Sequence, residues 1–122
     1  MDPIKELELK IRDAEADFKK AKERHDTAVS PDEKISARLE KAEADLVVKE
    51  LELKLAQAKL EFAQTKLGVE LNKVPRDPEL VQAAQNVVAT ATDAVKAATR
   101  ARDDASDIYK NLSEYLATSF TS

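Results

Sequence analysis

The run ISARLEKAEADLVVKELELKLAQAKLEFAQTKL, residues 35–67, decides the fold. Apolar residues recur in it three and four apart, as Ile35, Leu39, Ala42, Leu46, Leu53, Ala56, Leu60, Ala63 and Leu67, with Lys49 alone breaking the series. Such a seven-residue repeat keeps one seam of a helix turned toward a partner helix, the pattern of coiled-coil packing. The same spacing lies on either side. Upstream the seam runs Ile4, Leu7, Ile11, Ala14, Phe18, Ala21, His25, Ala28; downstream it runs from Val81 through Ala84, Val88, Ala91, Val95, Ala98, Arg102 and Ala105 to Tyr109, Leu112 and Leu116. The spacing predicts an all-α fold, a long and elongated antiparallel three-helix coiled-coil bundle with a short helix 1 and long helices 2 and 3.

Proline and the capping residues divide the chain. Asp2-Pro3 opens helix 1, with aspartate as N-cap and proline at N1, where the missing N–H costs nothing. Ser30-Pro31-Asp32-Glu33 reads as a capping box in which Ser30 accepts from the Glu33 N–H and Glu33 reaches back. The residue before a proline avoids the helical region, so helix 1 should span about 2–29 and helix 2 should start at 31. Pro75 and Pro78 end helix 2 near 73, and Asp77 caps helix 3 over about 78–118, with residues 118–122 fraying. Gly68 falls inside helix 2, because Leu67 and Leu71 keep helical spacing across it. The whole of 1–122 is thus a single helical domain. Connections this short permit only antiparallel neighbours, so helix 3 runs back along all of helix 2 while helix 1 reaches only its first half.

Helix 2 carries a second stripe, Val48, Leu51, Leu55, Ala58, Phe62, Thr65 and Val69. Two positions turn a helix by about 200°, so this stripe lies nearly opposite the first. A helix apolar on both faces is sandwiched. Two readings follow: helix 1 and helix 3 take one face each within the chain, or the part of the stripe beyond helix 1 docks a second copy. Helix 3 also has a wide apolar face, with Leu80, Val87, Ala94, Ala101, Ile108 and Tyr115 at seven-residue intervals. The candidate interface residues are therefore Leu51, Leu55, Ala58, Phe62, Val69, Leu80 and Val87.

Composition narrows the function classes. The 122 residues include one glycine, no cysteine, no tryptophan and twenty alanines, too little turn and β-forming material for a sheet protein. The 20 basic and 24 acidic residues, net −4, are interleaved as on a solvated helix face, without the basic stripe of a nucleic-acid binder. Met1-Asp2-Pro3-Ile4 has no basic and apolar leader pattern, no run approaches a membrane span, and no disulfide can form, so a soluble cytoplasmic protein is expected. No phosphate loop, thiol nucleophile or Glu-x-x-His pair is present, so no enzyme, cofactor or metal is expected. His25, the one histidine, reads as a structural seam residue favoured by the helix C-terminus. The Asn111-Leu112-Ser113 triplet matches a glycosylation acceptor, but Leu112 belongs to the seam. Lys49 and Arg102 fall at the same level of helices 2 and 3 and need either solvent or carboxylates such as Asp45, Glu52 or Asp103.

A non-enzymatic module for homo-oligomerisation, or for binding another helical protein, is the reading these features favour, with a homodimer as its main form. One alternative is a stalk or spacer of a larger protein. The strings Glu6-Leu7-Glu8-Leu9-Lys10 and Glu50-Leu51-Glu52-Leu53-Lys54 resemble coiled-coil segments that precede the effector domains of crinkler-type proteins. That likeness covers only short low-complexity strings, and it implies the stalk reading. A membrane-surface rod is the weaker alternative, resting on the single cluster Lys19, Lys20, Lys22 and Arg24.

Overall fold

The structure is a computed structural model that describes residues 2–121, with side chains to 118. The described residues form three helices: α1 over Pro3–Thr27, α2 over Pro31–Asn72 and α3 over Pro78–Thr121. At ~1.5 Å per residue, α1 is about 37 Å long, and α2 and α3 are each about 65 Å.

The caps hold as their sequences require. Asp2 Oδ1 accepts from the Ile4 N–H at 2.9 Å, and Asp77 Oδ1 accepts from the N–H groups of Glu79 at 2.9 Å and Leu80 at 3.4 Å. Ser30 Oγ accepts from the Glu33 N–H at 3.2 Å. The return bond of that box falls one residue early, on the Val29 N–H at 3.4 Å. Helix α1 stops two residues before the expected 29, because Ala28 and Ser30 must both be extended for the chain to reverse into α2. The Thr27 hydroxyl closes the last turn by donating to the Glu23 carbonyl at 2.9 Å. At the other connection Arg76 Nε donates to the Leu71 carbonyl at 3.0 Å, satisfying an end of α2 that has no glycine cap. Helix α3 extends to Thr121, past the expected 118, since neither proline nor glycine follows Pro78; Ser122 lies outside the described residues.

Gly68 is helical with ordinary negative φ, and a Cβ placed there would meet nothing within 4 Å. It therefore carries only the entropic cost of a flexible residue within a helix.

Helix α2 is the centre of the molecule. It packs on α1 and on α3, whereas no Cα of α1 lies within 8 Å of one in α3 among the described residues. Ala37 and Ala44 lie on the α1 side, where Arg24 Nε reaches Glu40 Oε2 at 3.0 Å. Ala56 and Ala63 lie on the α3 side, with Ala84, Ala91 and Ala98 across from them. The two faces of α2 thus serve two intramolecular partners along its first half. Beyond the reach of α1 only α2 and α3 remain.

The interior is thin. Its buried members are seven alanines with Ile11, Val48 and Leu53, and no described side chain is completely enclosed. Alanine lets helix axes approach closely but removes little apolar area per residue, so the fold depends on length and repetition.

Two stability changes follow. Leu53, 7% exposed, should lose about 2–4 kcal/mol on truncation to alanine, and half-buried Leu46 should lose less, by urea titration of each variant. Gly68→Ala should raise stability by roughly 0.5–1 kcal/mol, seen as a higher urea midpoint with an unchanged slope.

Candidate interaction groove

The half of the rod that α1 does not cover carries an open groove of about 1010 Å³ between α2 and α3. Its α3 wall is mostly alanine, namely Ala84, Ala91, Ala94, Ala97, Ala98 and Ala101, joined by Asn86, Val87 and Thr90. On α2, Ala56 and Ala63 form the floor and Leu55 and Phe62 the opposite rim. The floor is set by the small members of the seam, Ala56 and Ala63 on α2 with Ala84, Ala91 and Ala98 on α3, while Leu55, Phe62 and Val87 stand at its edges. A channel floored by methyl groups offers no hydrogen-bonding groups along its base, so it is suited to apolar side chains entering from above.

The candidate interface residues are distributed along this feature. Leu55, Phe62 and Val87 line the groove together. Val69 and Leu80 stand 54% and 48% exposed further toward the α2–α3 turn, outside the groove proper. Ala58 is half-buried and outside the lining, and half-buried Leu51 lies on the stretch of α2 that α1 covers. Phe62 and Val87 are each more than half exposed. Thr65 continues the stripe between Phe62 and Val69 because its hydroxyl is spent on the Glu61 carbonyl at 3.0 Å, leaving the methyl outward.

Charge enters from α2 alone. Glu52, Lys59 and Lys66 project into the groove. The Lys66 ammonium stands over the Phe62 ring, 4.9 Å from its centroid, a cation–π contact between residues one turn apart on α2. The three polar seam residues are accommodated locally. Lys49 Nζ lies 3.8 Å from Asp45 Oδ1, and Arg102 Nε donates to Asp103 Oδ1 at 2.8 Å, each charge being partnered on its own helix with part of its side chain in solvent. His25 is half-buried, its Nδ1 3.6 Å from Asp26 Oδ1 without a hydrogen bond. Among the described residues no three His, Cys, Asp or Glu side chains converge as metal ligands would, and no helix is long and apolar enough to cross a membrane.

Two features of the groove escape a reading by apolar spacing. The first is the stripe Leu80, Ala83, Val87, Thr90, Ala94, Ala97, Ala101 on α3, unbroken by charge, of which only the seven-residue half with Leu80, Val87, Ala94 and Ala101 stands out in the sequence. The second is the lysine pair on the floor side of α2, which looks like ordinary surface charge until α1 is seen to stop short.

No protein family, curated protein or solved structure matches the chain.

Because Phe62 touches water over more than half its surface, Phe62→Asp should leave far-UV helicity nearly unchanged while removing any association that uses the groove. Circular dichroism together with solution mass would separate this from unfolding, which would instead mark Phe62 as core.

Proposed function

We propose that the protein is a non-enzymatic helical module whose work is association, and that its principal partner is a second copy of itself, bound through the apolar faces of α2 and α3 beyond α1. The observation that carries this reading is the accessible surface. The chain exposes 8734 Å², whereas a compact monomer of 13.5 kDa would expose about 6,500 Å². Stable interfaces bury about 800 Å² on each partner. The surplus exceeds that, and it includes four large apolar residues on the half of the rod beyond α1, Phe62, Val69, Leu80 and Val87, that can act together as a partner site, while others such as Leu9, Val29, Ile108 and Tyr115 lie elsewhere along the chain.

The membrane-surface alternative has less support. In the cluster Lys19, Lys20, Lys22 and Arg24, the guanidinium is already paired with Glu40, and Asp17 and Glu23 interleave with the rest. The cytoplasm is the proposed compartment, consistent with interleaved surface charge and a cysteine-free chain.

Sedimentation velocity at micromolar concentration should give twice the chain mass of 13.5 kDa, with a frictional ratio well above that of a sphere. A monomer across the micromolar range would remove self-association as the function.

A further inference from the structure

Between the face of α2 that meets α1 and the face that meets α3 runs a third series at seven-residue intervals: Asp45, Glu52, Lys59, Lys66. Positions seven apart form one line along a coiled-coil helix, here with steps of about 10.5 Å. The line reads two negative charges, then two positive. Its last three members open into the groove. Glu52 and Lys59 take part in no ion pair among the described residues, and Asp45 is tied only to Lys49 at 3.8 Å. Reversed end for end, this string is its own complement.

We propose that a second copy docks antiparallel along this line, with the two-fold axis passing between Glu52 and Lys59. The inference rests on the self-association proposed above and specifies its orientation and register. In that register Asp45 faces the second copy's Lys66 and Glu52 faces the second copy's Lys59; symmetry repeats both pairs, giving four attractive contacts. An in-register parallel arrangement would set like charge on like charge at all four positions, which is strongly disfavoured.

The helix lengths select the same axis. Arg24 pairs with Glu40, and Ala14 and Ala44 line the same cleft, so the α1–α2 register brings Pro3 beside Leu55 or the turn after it. The axis between Glu52 and Lys59 therefore falls at the start of α1. The two copies of α1 then lie end to end on one side of the assembly, and each occupies the half of the trench that the other leaves open. On α3, the level of this axis falls near Ala94, since the groove is lined by residues from Glu52 to Lys66 on α2 and, running the opposite way, from Ala101 to Ala84 on α3. Exposed Ala94 and Ala97, with half-buried Ala101, allow two α3 helices to approach closely there.

Charge reversal tests the register. Lys59→Glu with Lys66→Glu makes the line wholly acidic, and Asp45→Lys with Glu52→Lys makes it wholly basic. Each variant alone should dimerise at least about 100-fold more weakly than the parent, because four attractive contacts become repulsive. An equimolar mixture of the two should recover a heterodimer by native mass spectrometry. Separately, Ala94→Cys in the otherwise unaltered, cysteine-free chain should form a covalent dimer on mild oxidation. If both variants associate like the parent, if the mixture recovers nothing, or if Ala94→Cys stays unlinked in a dimeric protein, the register is wrong while self-association stands. A parent chain that is itself monomeric would instead overturn the proposed function, and this inference with it.

Discussion

Helix α2 has two apolar faces along 42 residues, but α1, with 25, can cover one of them only partway. The rest of the molecule is arranged around that mismatch. Where all three helices are present, α2 is sandwiched, with Ala37 and Ala44 turned to α1 and the line they share with the second stripe covered there. Past the start of α1 the stripe continues with Leu55, Phe62 and Val69, and no third helix lies over it among the described residues. The groove is therefore not a local irregularity. It is the unfilled continuation of an intramolecular berth, and this is why its rim is built from the same residue types as a helix interface.

Alanine decides the groove's shape. Alanines alternate with larger residues along the distal α2–α3 seam, and it is the alanines, Ala56, Ala63, Ala84, Ala91 and Ala98, that line the channel and make its base smooth. Larger residues displaced from the seam stand at its edges as Leu55, Phe62 and Val87. A shallow channel with apolar rims receives the ridge of another helix better than it encloses a small molecule, which would need burial on most sides. The lysines and Glu52 lie between seam and rim, where they interrupt the apolar surface without occupying its floor.

Much of this was legible before the fold was known, and the reasons are local. Ser30-Pro31 and Asp77-Pro78 announce helix starts because capping is a short-range bond between a side chain and a nearby N–H. The helical state of Gly68 could be inferred from Leu67 and Leu71, since periodicity across a glycine outweighs its intrinsic cost. The rim residues Leu55, Phe62 and Val87 could be named because large apolar side chains register in any spacing pattern. Ala97 and Thr90 could not, since small or polar residues carry little apolar signal. Neither could the role of Glu52, Lys59 and Lys66, because a surface charge acquires meaning only once the neighbours on both sides are placed. The end of α1 at Thr27 is not legible for a similar reason: the extended conformation of Ala28 follows from the reversal into α2 and not from its own preference.

The thin interior has a thermodynamic consequence. The heat-capacity change of unfolding scales chiefly with newly exposed apolar surface. A core made mostly of alanine exposes little, so the stability curve of the isolated chain is shallow and broad. Its unfolding enthalpy changes slowly with temperature, and both its cold and its heat transitions are spread over wide ranges. Burial of Phe62, Val69 and Val87 in the proposed assembly would add apolar surface to that account, so association would both deepen the curve and sharpen its melting.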